Sequence, residues 1–593
     1  MRRQWLFGLL WFWPLAAAAL PHLELDVRLD PDTRRFEARA VLTDNAGIDA
    51  FRLGRGFEIA TLAADGQRLR PARRPAGVDF YGFSLPPGTR RVEVSYRAKL
   101  EPTPRLDHRQ VLGHRTASAG PEGSFLPAGA GWYPETGRMF SYRIALAVPP
   151  DQKGIATGSF VAESETASGY RAEFAFPWAT DGIDLMAGPY EVGERLLRLG
   201  ERTIRVRTWF HPELRELAPG YLEDAARTIE RYSRLIGPYP FESFGIVSSP
   251  TPTGFGMPGL TYLGREVLRL PFIRATSLGH EVLHNWWGNG VYPDWQSGNW
   301  SEGLTTFLAD YAFKEDQGEA AAREMRLGWL RDYAAVPPEE DFALKDFTAR
   351  RHGISSVIGY GKAAMVFLML RDQIGTAAFE RGLRLLWERK RFQTASWRDL
   401  ETAFSEAAGR PLGEFFSRWV DQAGAPAFSG SDPDYRIWRR LDPKELPPIL
   451  RETFIAPSAR LVVADADRRI AAAAQALAER VLDARGGQGR APAWLIVGTP
   501  AAVDAWLARH GLPPRPREAA GGSAQVWAGR DGAGRGYAVV SAADADALRA
   551  LVRPLPHYGR QSWLVFEGSR AIGRGVFPMP PVQGAVPPAS TLQ

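Results

Sequence analysis

From His22 onward apolar and polar positions alternate with period two. His22-Leu23-Glu24-Leu25-Asp26-Val27-Arg28-Leu29 and Arg35-Phe36-Glu37-Ala38-Arg39-Ala40-Val41-Leu42 are the clearest runs, and similar ones recur at 91–96, 141–148 and 170–176. Clusters of Gly, Pro and Asp separate them, which predicts the strands of an antiparallel saddle or sandwich. The pattern then mixes. Thr203 to Phe210 reads as a strand, Pro212 to Ile236 as a helix, Gly237-Pro238-Tyr239-Pro240 as a break, and Phe244 to Ser248 as a strand. From Pro271 to about Trp419 the period is mostly 3.6, so this region is expected to be largely helical. Beyond 435, strand-like runs at 460–463, 494–497, 524–527, 537–541 and 563–566 alternate with helical ones at 469–482, 501–510 and 543–552. That alternation predicts a small α/β domain. A chain of 593 residues exceeds what one core supports. The expected organisation is multidomain α+β: a leader at 1–19, a β domain at 20–196, a mainly helical domain at 197–428, an α/β domain at 435–578 and a loose tail at 579–593.

The first residues change the picture of location. Arg2 and Arg3 precede an apolar run from Trp5 to Leu15, and Ala17-Ala18-Ala19 follows as a cleavage site. This reads as a signal peptide cleaved near Ala19. An uncleaved anchor is the alternative, but the run is shorter than the roughly 20 residues a span needs. No later segment reads as a span, so no stable membrane span is expected after cleavage. The chain has no cysteine, which removes disulfides, thiolate ligands and a lipidated cysteine. Export without disulfides points to a bacterial periplasmic or secreted protein. Lys and Arg number 73 against 67 Asp and Glu, a formal charge of +6. The basic residues are scattered, so no nucleic-acid partner is expected.

Without cysteine, a metal site must use histidine and carboxylate. Ser277 to Trp287 reads as a helix carrying His280, Glu281 and His284. Residues i and i+4 share one helix face, so both imidazoles can reach one zinc ion. Glu281 stands beside them and can take a proton from a water on that ion. With nine histidines in the chain, this pattern would arise by chance on the order of 0.01 times. A third ligand is needed, leaving the fourth position open. Gly288, Gly290, Pro293 and Gly298 can turn the chain back to Asn299-Trp300-Ser301-Glu302-Gly303, where Ser301 could cap a second helix and Glu302 face the first. The plainer reading of Glu302 is a first-turn acid favoured by the helix dipole. Asn299-Trp300-Ser301 also matches a glycosylation sequon, read here as accidental because a glycan would obstruct the metal helix.

With these residues in view, the sequence resembles the aminopeptidase N family of thermolysin-like gluzincins. His280, Glu281, His284 and Glu302 match its motif residue by residue, as do Trp287, Gly288, Asn289 and Gly303. Ile358-Gly359-Tyr360-Gly361-Lys362-Ala363 resembles its tyrosine motif. The resemblance spans about residues 20–428 and implies a thermolysin-like catalytic domain, one zinc ion, a peptide or protein substrate, and Tyr360 as donor to the oxyanion. The alternative for Tyr360 is an ordinary aromatic at a helix start. The spacing from His284 to Glu302 is one residue shorter than the family usually has, in a loop.

A larger departure precedes the metal helix. The family carries Gly-x-Met-Glu-Asn there, whose Glu holds the substrate's amino group. Here Gly256 takes that place, and no acid occurs from Ser248 to Gly264. Gly256, Met257, Pro258, Gly259 and Leu260 are the candidate substrate-binding stretch, with the Leu260 to Leu263 edge available to an added strand; a structural turn is the alternative. Arg350, Arg351 and His352 could meet a substrate carboxylate or be solvated surface. The readings that follow are a zinc peptidase of altered specificity, a peptide- or partner-binding protein on a peptidase fold, and a hydrolase for a non-peptide bond, for which no residue here selects.

Overall fold

Alternation is translated directly into burial along Arg35–Thr43, where Phe36, Ala38, Ala40 and Leu42 are buried and Arg35, Glu37 and Arg39 exposed. The structure, a computed structural model, describes residues 20–104, 116–270, 272–349, 353–424, 446–456, 458–482 and 493–578. The expected signal peptide, the 579–593 tail and Arg350, Arg351 and His352 lie outside them. By its internal contacts the chain divides into two units, 1–234 with 238–290 and 235–237 with 291–593.

The first unit opens with an eight-stranded sheet. Its order is Ser159–Thr166, Gly169–Thr180, Phe140–Val148, His22–Asp30, Arg35–Thr43, Arg91–Lys99, Glu58–Ala64 and Gln67–Leu69. One pair departs from the antiparallel expectation: His22–Arg28 runs parallel to Ser141–Ala147. More than 100 residues separate these strands, enough for the crossover that parallel pairing requires. Phe36, Phe57, Tyr96 and Trp132 pack edge-on or tilted beneath the sheet.

A second sheet of this unit has the order Glu191–Leu199, Arg202–Phe210, Ser243–Ser249, Leu260–Gly264, Gly254–Met257. Glu191–Leu199 crosses the expected domain limit at 196, because it pairs along its whole length with Arg202–Phe210. The helical run after Pro212 forms a short 3-10 turn, Pro212–Leu217, then the helix Ala218–Leu235. Leu260–Gly264 is not an edge, contrary to the sequence reading. The chain doubles back at Pro258-Gly259, where Gly259 has φ +71°, so Gly254–Met257 pairs with it and takes the free edge.

The second unit is helical through Glu319–Ala334, Ala363–Ile374, Thr376–Lys390 and Trp397–Ala408. Among the described residues one continuous helix, Ile354–Ile374, is long and apolar enough to cross a bilayer, which the sequence reading did not count. Its apolar window is 78% buried inside the protein, as in a core helix. The six-stranded C-terminal sheet is ordered Arg460–Val463, Trp494–Gly498, Gly536–Ala542, Ala524–Arg530, Trp563–Glu567, Arg570–Gly575. Leu495 and Val497 join one core with the helices Arg468–Val481 and Ala545–Leu551, while Ile496 joins another with Pro500–Arg509. Period-two alternation thus supplies both faces. Asp332, on the helix Glu319–Ala334, reaches Arg451 at 3.0 Å and Arg560 at 2.6 Å and fastens this sheet to the helical region.

Candidate metal centre

The metal helix is shorter than its sequence suggests. Regular helix covers Leu278–Leu283, with His284 at its C-terminal cap. The Asn285 carboxamide nitrogen donates to the Val282 carbonyl at 2.9 Å, taking an acceptor that a continuing helix would use. The following turn is held by the Trp287 nitrogen on the Leu283 carbonyl at 3.2 Å, and Gly288 leaves it with φ +123°. Trp286 is fully buried against Tyr232 and Tyr239.

His280 and His284 are half-buried, with Nε2 atoms 3.1 Å apart and rings nearly perpendicular at 78°. The Trp287 carbonyl lies 2.9 Å from His284 Nδ1. A carbonyl only accepts, so Nδ1 carries the hydrogen and the Nε2 lone pair turns toward His280. Two nitrogens bound to one tetrahedral zinc at 2.0–2.1 Å would be about 3.3 Å apart. Ligand atoms of His280, His284 and Glu302 all lie within 4.8 Å of one another. Among the described residues no other group of three such side chains converges in this way. Two imidazoles and one carboxylate, with no thiolate, make the donor set of an open zinc site. The spacing and the held tautomer fit such an ion.

Glu302 stands on the short helix Ser301–Thr305. Ser301 is not its cap, as the sequence suggested. The Asn299 carboxamide oxygen does that work, accepting from the Ser301 nitrogen at 3.0 Å and the Ser301 hydroxyl at 2.7 Å. An Asx side chain reaches the amide two residues on more readily than Ser301 can cap its own turn. Asn299 is 4% exposed and its Nδ2 donates to the Thr348 carbonyl, so the sequon is buried. Gly303 beside Glu302 has no room for a side chain, since a Cβ there would collide with that of Ala363.

That contact leads to Tyr360. It stands half-buried in a wide, π-type turn, Val357–Lys362, flanked by two glycines. Phe347 covers Gly359 closely enough to exclude a Cβ, Trp329 packs on Gly361, and the Phe347 ring meets that of Tyr360 edge-on at 6.1 Å. Among the described residues three such wide turns occur. Ile273–Ser277 precedes His280, Thr306–Tyr311 follows Glu302, and the third holds Tyr360. Wide turns of this kind collect at functional sites because they re-aim side chains at a cost in regularity.

The structure separates the five candidate substrate residues. Gly256 is exposed on the edge strand and Pro258 is half-exposed, but Met257, Gly259 and Leu260 are buried. The Gly259 nitrogen donates to Asn285 Oδ1 at 2.8 Å, tying the strand to the metal helix. A Cβ at position 256 would collide with Glu281 Oε2 and stand 3.6 Å from His284 Cδ2, so this glycine lies directly against the metal helix. Sequence reasoning missed Asn285 and the Trp287 carbonyl. A polar residue immediately after the second histidine was the visible signal for Asn285; a backbone carbonyl has none.

Comparison with known proteins finds similar sequences and a similar fold. Residues 274–419 match the model of the peptidase family M1 domain. The chain is 29% identical over 185 residues to human glutamyl aminopeptidase, covering 29% of this chain and 19% of that protein. It is 31% identical over 165 residues to Escherichia coli aminopeptidase N, covering 27% of this chain and 18% of that protein. The matched stretch therefore spans about a fifth of these relatives. An M1 zinc metallopeptidase from Deinococcus radiodurans has a similar fold, with TM-score 0.55 and 20% identity over 70% of this chain and 96% of that one. The same coverage and score hold for a variant of that enzyme bound to a Tyr-Ser-Ala substrate.

Proposed function

We propose that this chain is a gluzincin of the aminopeptidase N, or M1, family, a reading supported by the match of residues 274–419 to that family's domain. It is a zinc-dependent peptidase, exported by the leader at 1–19, whose substrates are peptides and which does not depend on a free amino terminus. The observation that carries this reading is the convergence of His280, His284 and Glu302 with Glu281 beside them. Zinc held by those three side chains would supply Lewis acidity and lower the pKa of a water to near neutrality. Glu281 accepts the proton of the attacking water and passes it to the leaving amine. The Tyr360 hydroxyl donates to the scissile carbonyl oxygen as its negative charge grows. The free edge of Gly254–Met257 receives substrate backbone as an added strand.

Specificity follows from the same strand. Gly256 stands against the metal helix, and no carboxylate occurs from Ser248 to Gly264. A substrate ammonium drawn there would lose its hydration without a counter-charge from this strand, which is costly. The test is a peptide-library digest of zinc-loaded protein read by mass spectrometry, with Glu281→Gln as blank. Internal cuts, or cuts in acetylated peptides, are expected. Cuts confined to the first bond of free-amine peptides would overturn the specificity. Identical traces for both proteins would overturn the peptidase itself and leave a peptide-binding role. Glu281→Gln should lower kcat by about 10²–10⁴-fold with zinc content unchanged.

A further inference from the structure

Lys362 closes the wide turn Val357–Lys362 that holds Tyr360, and its side chain is only 4% exposed. Its Nζ is buried and makes no hydrogen bond of good geometry. It stands 3.5 Å from Asp341 Oδ1 and 5.1 Å from the centre of the Tyr333 ring. Burial pulls the ammonium below its ordinary pKa of 10.5, against the opposing pull of Asp341. The Asp341 carboxylate is buried too, and other donors fill it. The Tyr333 hydroxyl at 2.5 Å and the Gly424 nitrogen at 2.6 Å donate to Oδ2, and the Phe342 nitrogen at 2.9 Å donates to Oδ1. So loose a buried ion pair is a poor source of stability, because both charges lose hydration that their attraction only partly replaces. What such a pair can specify is which segments meet.

Asp341 opens the segment 341–349, and this segment meets the tyrosine turn twice. Asp341 reaches Lys362, and further on Phe347 covers Gly359 and meets the Tyr360 ring. Beyond that contact the segment is held separately, since the Phe347 carbonyl accepts from the Asn299 nitrogen at 2.6 Å. Phe347 is therefore held between two anchors, and Lys362 is the one that stands on the turn of Tyr360. Tyr333 and Gly424 fix the carboxylate, so the ammonium is drawn to one place.

We propose that Lys362 is a positioning residue for Tyr360. Through Asp341 it keeps Phe347 against the turn, and so keeps the tyrosine hydroxyl aimed at the reacting carbonyl. The link to catalysis rests on the peptidase reading; the link between segments does not.

The test uses the full zinc-loaded chain and two variants, Lys362→Met and Asp341→Asn, which break the pair from either side. All are measured well below their thermal midpoints. Hydrogen exchange read by mass spectrometry should be about tenfold faster or more over 341–349 and 357–362 in both variants. In both, kcat should fall about tenfold or more, with KM and bound zinc little changed. In a Tyr360→Phe background, Lys362→Met should lower kcat by less than about twofold further, because the hydroxyl it positions is gone. A merely structural role would multiply the two losses instead, and that result overturns the proposal. Loss of zinc, unchanged exchange over either segment, or unchanged kcat also overturns it. Equal turnover by the unmodified chain and Glu281→Gln would overturn the peptidase reading instead, and the exchange measurement alone then decides whether Lys362 holds the segment.

Discussion

Single side chains named as candidates for the site are placed by neighbours that carry no chemistry themselves. Tyr360 is held by rings over the glycines on both sides of it, which sets its direction before substrate arrives. Tyr360→Phe keeps those contacts and removes only the hydroxyl. Steady-state kinetics should show kcat lower by about 10²–10³-fold, with KM little changed, as expected of a donor used only in the transition state. Gly256→Ala tests the close approach of the edge strand. The new methyl group meets the flexible end of Glu281, so stability should hold while the carboxylate moves. A displacement near 1 Å can cost up to about 10²-fold; a loss of about tenfold or more in kcat is expected with bound zinc unchanged. The three side chains that converge, His280, His284 and Glu302, were legible in the sequence because metal ligation demands particular residue types at suitable spacing. The absence of an acid at 256 was legible too, but its position against Glu281 was not. A glycine's neighbours are set by strand pairing and not by its own side chain.

At the scale of elements, the edge strand and the metal helix are joined through Asn285, which is fully buried and uses both ends of its carboxamide. Asn285→Ala leaves the Gly259 nitrogen buried and unpaired, a cost of about 1–3 kcal/mol. Its thermal midpoint should fall, and KM should rise more than kcat falls, since the strand proposed to receive substrate loosens first. Regular elements were read well from pattern: the strands Arg35–Thr43 and Arg202–Phe210 and the helix Arg468–Val481 lie within a residue or two of expectation. The failures were local competitions. The metal helix stopped at Leu283 because a side chain claimed a backbone carbonyl, and Asn299 displaced Ser301 as cap. The edge moved from Leu260–Leu263 to Gly254–Met257 because register depends on which strand folds back.

For the molecule as a whole, the pH response is tied to a buried guanidinium paired with two partly exposed carboxylates. Arg207, with its side chain 7% exposed, reaches Glu163 at 2.8 Å and Glu194 at 2.5 Å. Burial pushes the Glu163 carboxyl up, but hydrogen bonds from Arg207 and Tyr170 outweigh it and hold the group below its ordinary value of 4.5. A depressed carboxylate stabilises the fold fully above its unfolded value, and that stabilisation is lost as pH falls through the folded one. Stability should therefore decline below about pH 4.5. Arg207→Met leaves two carboxylates unpaired, but both are about a third exposed and are rehydrated by water, so the cost at pH 7 should be about 1 kcal/mol. Thermal scans at pH 7 and pH 4 should show the gap between midpoints narrowing in the variant, because the Glu163 contribution is then absent at both.

What the sequence alone determined is whatever depends on residue type and spacing: the order of β, helical and α/β regions, and the donor set of His280, His284 and Glu302. Those follow from periodicity and ligand chemistry, which are local. Tertiary structure alone decided which strand is the edge, that His284 is held by the Trp287 carbonyl, that Asn285 joins strand to helix, and that Lys362 meets Asp341. Each of these is a meeting of groups distant in the chain or hidden in its backbone. Such meetings are set by packing, which no local pattern of polar and apolar residues encodes.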